Sequence, residues 1–158
     1  MSEEVISLRP WVQVAAFCQT AISEATGTLS IIKIRDGLTL VGATKEMQPT
    51  PVQLTMVLVL KSGEMVGQYN LKVRCNTPSQ VQTTGPDLPC YFEGGDRGVQ
   101  AVLPMGMIAN EPGIYWFDIL LVDQILTRLP LRVMYQVVQM DGYPGIDGPV
   151  NPMGPQTQ

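Results

Sequence analysis

The chain has 158 residues, a net charge of −4 and no histidine, with 45% apolar and only 15% charged residues. That length fits one domain with tails and is enough to bury a substantial core. The lack of histidine removes the commonest general base and transition-metal ligand, and an acidic balance with no Lys/Arg cluster argues against nucleic acid as a partner.

Ordinary domains carry roughly a quarter charged residues. This surface must therefore be covered by Gln, Thr, Ser, Asn and backbone, or be hidden against a partner. Residues 1–10 begin acidic and reach no long apolar run. The most apolar window, Met56 to Leu60, is far short of the roughly 20 residues that cross a bilayer. The expectation is a soluble, cytoplasmic protein with no membrane role. Residues 1–9 read as an N-terminal tail and 10–138 as the folded domain.

Residues 11–21 (WVQVAAFCQTA) alternate Val12, Val14, Ala16 and Cys18 against Trp11, Ala15 and Phe17, and both faces look at least partly covered. A turn at 23–27 leads into the β-branched strand 28–34 (TLSIIKI), so 11–34 reads as a hairpin or a near-neighbour pair. Asp36-Gly37 marks a further turn before Leu38 to Val41. Pro51 suits a strand start, where a missing N–H matters least. Val52, Leu54, Met56, Leu58 and Leu60 then share one face. Lys61-Ser62-Gly63-Glu64 reads as a short turn. In the return strand Tyr69, Leu71, Val73 and Cys75 alternate with Gln68, Asn70, Lys72 and Arg74. Period 2 over eight residues means one buried and one wet face, so 52–60 and 67–75 are expected to form a hairpin.

Residues 76–97 are irregular by sequence and read as a long loop, with a short edge strand near Gln80 to Thr83. Cys90 falls in that loop, while Cys18 and Cys75 read as small buried strand residues. Three cysteines, no CxxC pair and no histidine give no disulfide framework and no zinc site. Residues 98–103 make another strand. After the Asn110-Glu111-Pro112-Gly113 turn, strand 114–121 (IYWFDILL) puts Tyr115, Phe117, Ile119 and Leu121 inward. Ile114, Trp116, Asp118 and Leu120 take the other face, because an unpaired Asp118 would be costly to bury. The last strand places Leu131, Val133 and Tyr135 inward, with Pro130 signalling an edge or bulge. Residues 139–158 hold four prolines and four glycines, two aspartates and no basic residue, and read as a disordered tail.

Seven or eight antiparallel strands without a helix predict an all-β sandwich, immunoglobulin-like or of related topology; a partly closed barrel is the alternative. No HExxH, GxSxG or P-loop pattern occurs, so no catalytic residue, metal ligand or cofactor is assigned. Glu93, Asp96 and Arg97 beside Tyr91 form a polar cluster able to meet a ligand, or simply a solvated local ion pair. Trp116, flanked by Ile114 and Leu120, presents an outward aromatic of the kind found at interfaces. The expected partner is a protein or a second copy of the chain.

The stretches TGTLSIIKIRDGLTL (26–40), VQLTMVLVLKSG…GQYNLKVR (52–74) and PGIYWFDILLVDQILTRLPLRV (112–133) resemble a family of small uncharacterised bacterial β-sandwich proteins known as a domain of unknown function. The similarity covers roughly residues 8–135, and the final hairpin with Arg128, Pro130, Leu131 and Val133 is its marker. At Val122-Asp123-Gln124 relatives more often carry Asp-Gly, a departure that bears on the turn type. The resemblance implies a fold and transfers no catalytic motif.

Overall fold

The computed structural model describes residues 9–139. They form eight strands: β1 (Trp11–Ser23), β2 (Leu29–Arg35), β3 (Gly37–Gly42), β4 (Thr50–Asn76), β5 (Gln82–Thr84), β6 (Leu88–Ala109), β7 (Gly113–Leu121) and β8 (Gln124–Val137). The hydrogen-bonded path runs β2-β1-β4-β7-β8-β3, with β5 and β6 pairing β4. The sheet is not closed, since its ends β2 and β3 do not pair with each other. The protein is all-β, and the sheet is mixed. β3 runs parallel to β8, from Gly37↔Arg132 to Gly42↔Val137, whereas an antiparallel arrangement was expected throughout. Two further backbone bonds bracket this pair: Arg132 N donates to Asp36 O at 3.0 Å and Val138 N to Gly42 O at 2.9 Å.

The largest departure from the sequence expectation is β4. The segment Lys61-Ser62-Gly63-Glu64 does not reverse the chain, and β4 continues through it for 27 residues. Its partner is β6, in register from Thr50↔Ala109 to Lys61↔Gly98 and again from Val66↔Glu93 to Leu71↔Leu88. The register shifts on both sides of Gly63, the bulge that bends a strand. Positive φ at Gly63 (60°), Gly94 (88°) and Gly95 (62°) lets both strands turn the corner together. A Cβ on Gly98 would collide with the Leu60 carbonyl oxygen, so the two backbones approach there as only glycine allows. The real reversal comes after Asn76, and residues 88–97, expected in a loop, belong to β6. Cys90 is accordingly a strand residue, its thiol donating to Tyr69 O at 3.4 Å. The expected short strand is β5, opposite Arg74 to Asn76.

The bend divides the sheet into two halves. The first holds β2, β1, residues 50–61 of β4 and residues 98–109 of β6. The second holds the rest of β4 and β6 with β5, β7, β8 and β3. One core cluster joins them. Phe17, Leu54, Met56, Leu58 and Leu60 come from the first half, and Leu71, Val73, Tyr115, Phe117, Ile119, Leu131 and Val133 from the second. Phe17 meets Phe117 edge-on across the layers, with centroids 4.9 Å apart, an arrangement favoured by the ring quadrupoles. Each such side chain contributes about 1.5–3 kcal/mol on burial. Tyr115 is buried at the start of β7, and its hydroxyl donates back to Glu111 O at 2.8 Å, tying the turn to the core.

The β7–β8 connection is a two-residue turn between Leu121 and Gln124, with Val122 (φ 49°) and Asp123 (φ 60°) both left-handed. That is the type I′ geometry whose twist matches a hairpin. Pro130 pairs with Trp116 on one side, while β3 begins only opposite Arg132. Its missing N–H therefore falls where no strand needs it. The expected tails, 1–9 and 139–158, fall almost wholly outside the described residues.

Candidate functional site

The face of the second half-sheet that points away from the core carries a polar and aromatic patch. Strand register builds it: Arg74, Asp118 and Arg128 align across β4, β7 and β8, as do Asn76, Trp116 and Pro130 one step along. Asp118, expected as a surface residue, is instead fully buried. Its cover is not the core but its neighbours' side chains. Arg74 donates to Oδ2 from Nε (3.3 Å) and Nη2 (3.0 Å), and Asn76 Nδ2 donates to the same oxygen at 3.1 Å. Arg128 donates from Nε to Oδ1 at 2.6 Å and from Nη2 to Oδ2 at 3.4 Å.

These contacts decide the charge state of the carboxyl. Burial is the largest single influence and opposes ionisation. The hydrogen bonds and charges of Arg128 and Arg74 together outweigh it and hold Asp118 below the ordinary aspartate range. The same contact raises Arg128. Two guanidiniums share one carboxylate, so the trio keeps one net positive charge. The Arg128 guanidinium also lies over the Trp116 ring, 5.9 Å from its centroid, a cation–π geometry. Trp116 remains 40% exposed. Arg132 lies opposite Ile114, further along the same face.

Of the residues singled out from sequence, Ile114 is half-buried beside this patch, and Leu120, also expected to be outward, is only 8% exposed. Leu120 lines a shallow hollow of about 200 Å³ with Asn70, Lys72, Asp87, Val122 and Asp123, below the roughly 300–1,000 Å³ of small-molecule sites. Tyr91, Glu93, Asp96 and Arg97 are exposed on β6, with Arg97 Nη1 and Glu93 Oε2 paired at 3.2 Å. The two groups are not one site. Tyr91 is opposite Gln68 and Trp116 opposite Asn76, eight residues apart on β4, or roughly 25 Å at strand spacing. Arg74, Asn76 and Arg128 were not expected at a site from sequence, where Arg128 figured only in the marker hairpin and Arg74 only on a wet strand face. Asp118 within an otherwise apolar strand was the available signal, because a carboxylate there requires donors.

The cysteines stand apart from this patch chemically. Burial pushes the thiols of Cys18, Cys75 and Cys90 up, and the Asp118 charge adds to the effect at Cys75. Such a shift disfavours the thiolate, the nucleophilic form of cysteine. Among the described residues no group of three or more Cys, Asp or Glu is placed to hold a metal ion. No helix there is long and apolar enough to cross a membrane. No protein-family model and no curated protein matches the chain.

Proposed function

We propose that this chain is a non-catalytic β-sandwich binding module that meets a protein partner through the outer face of its second half-sheet. The observation that carries the reading is Trp116. It stands 40% exposed on a rigid central strand and is held beneath Arg128, which Asp118 in turn fixes. Tryptophan and arginine dominate the energetics of protein interfaces when set on a rigid support. The shallow relief of this face suits a macromolecule better than a small ligand. A sandwich of immunoglobulin-like or related topology is the finer fold reading. The Tyr115–Glu111 bond supports it, as the tyrosine corner recurs in such domains. Membership of the bacterial family that the sequence resembles is likewise part of the proposal.

The test is a cross-linking capture from native cells with wild-type chain, Trp116→Ala and Arg132→Ala, circular dichroism confirming that all three are folded. Loss of the same specific partner in both variants is the expected result. Capture of an identical set at equal yield by wild type and Trp116→Ala would remove this face as the binding surface.

A further inference from the structure

We infer that residues 98–109 of β6 form a self-association edge, pairing antiparallel with the same strand of a second copy of this chain. The inference is independent of the Trp116 face.

Along this stretch β6 bonds to β4 alone, through twelve consecutive register pairs from Gly98↔Lys61 to Ala109↔Thr50 without a shift. No strand and no other backbone bond among the described residues occupies its opposite side. Alternate N–H and C=O groups there present a regular template for another strand. The short edge strands β2, β3 and β5 are protected in the usual ways. β2 has seven residues and carries Lys33 and Arg35, with Lys33 at a left-handed φ of 55° that breaks its regularity. β3 has six residues and β5 three. The segment GVQAVLPMGMIA has no charge at any of its twelve positions, and Pro104 alone lacks an N–H.

The side chains favour a copy of the same strand as occupant. Val99, Ala101, Leu103, Met105 and Met107 pack toward the core, which fixes the twist of the edge. On the other face Val102 is half-buried and Ile108 is 59% exposed. A twofold axis beside β6 generates an antiparallel pair automatically and sets uncharged residues against uncharged ones, so no like charges are opposed. Magnitude fixes the kind of complex. Twelve residues extend about 40 Å, and a strip roughly 10 Å deep would remove on the order of 800 Å² in total. Stable interfaces bury about 1,200–2,000 Å², so this pairing is reversible and concentration-dependent. The Trp116 faces lie on the other half-sheet, so the dimer would present two of them at once and strengthen any multivalent contact.

The test measures the native mass of the full chain by light scattering from about 1 µM to about 1 mM, a span that brackets weak complexes. Amide exchange is followed across 98–109. Wild type and Trp116→Ala should both climb toward twice the chain mass, with alternate amides of 98–109 gaining protection as concentration rises. Ile108→Lys, at an exposed position that the fold tolerates, and Val102→Lys should each weaken the dimer at least tenfold. A wild-type mass that stays monomeric to the top of the range, with exchange independent of concentration, overturns the proposal. So does a dimer that Trp116→Ala dissolves and both lysine variants leave intact. Binding at Trp116 would be untouched by the first result and favoured by the second.

Discussion

Removing the Asp118 carboxylate is the most informative single perturbation. It accepts five hydrogen bonds from three side chains on two neighbouring strands, so Asp118→Ala removes these side-chain ties of β7 to both β4 and β8 while the backbone ladders remain. Breaking a buried charge pair by deleting one partner typically costs about 3–5 kcal/mol. Here the side chains of the stranded arginines are 27% and 56% exposed and can regain water, which reduces the expected loss to about 2–3 kcal/mol. Urea unfolding at pH 7, followed by circular dichroism, measures it. The dependence on pH has a definite sign. Because the folded Asp118 carboxyl lies below its unfolded value of about 4, its stabilisation is fully present above that value. It is lost as pH falls through the folded value. Wild type should therefore lose stability below pH ~4 by an amount that Asp118→Asn no longer shows. The triple variant Arg74→Met, Asp118→Leu, Arg128→Met should recover most of the loss, since the cost of the single change lies in orphaned charge. An Asp118→Ala variant within about 0.5 kcal/mol of wild type, with unchanged acid sensitivity, would refute the account.

Two further outcomes follow from backbone and burial. Val122→Asn with Asp123→Gly should raise the unfolding free energy by about 1–2 kcal/mol, because a β-branched residue at φ 49° is replaced by the pair that a type I′ turn favours; an unchanged midpoint in thermal denaturation would count against strain there. Ser62 Oγ is buried with no hydrogen-bond partner, so Ser62→Ala should be neutral or stabilise by up to about 1 kcal/mol, and a clear loss in the same assay would show that the hydroxyl is satisfied in solution.

Local pattern carried most of the layering. Alternation in 67–75 and 114–121 marks the same inward residues that the core contains, because period 2 sorts them onto one face, although β7 also buries Asp118 and Leu120 on the other. The first and last hairpins were legible because their strands are joined by short turns. β4 was not legible, for a physical reason. A bend and a reversal both draw on glycine and polar residues, and Lys61-Ser62-Gly63-Glu64 satisfies either. What decides between them is the matching Gly94, Gly95 and Gly98 on a strand more than thirty residues away. The parallel β3–β8 pair has the same character, since no local signal links residue 37 to residue 132. At the site, the outward position of Trp116 follows from its neighbours' alternation. The guanidiniums that cover Asp118 come from 44 and 10 residues away in sequence, and only the β4–β7–β8 register brings them to one carboxylate.

That register also explains why the patch is placed where it is. A buried carboxylate between two arginines is seldom the most stabilising filling for a sheet face; apolar side chains of similar volume often do as well or better. Its distinctive effect is positional. Arg128 has a flexible stem and would sample many rotamers if free, yet two bonds to Asp118 restrict it to a plane over Trp116. Asp118 itself is fixed by Arg74 and Asn76 on β4, one of the two strands that span both halves of the sheet. The exposed ring and its cation are thus anchored to the longest strand of the fold, so a partner would meet them with little side-chain freedom left to lose. Under the proposed function, Asp118→Asn should weaken partner capture at pH 7 while Trp116 keeps its exposure, because the ring remains and only its orienting cation is loosened. Unaltered capture by a folded Asp118→Asn variant would separate the ion trio from recognition and leave it a purely structural staple.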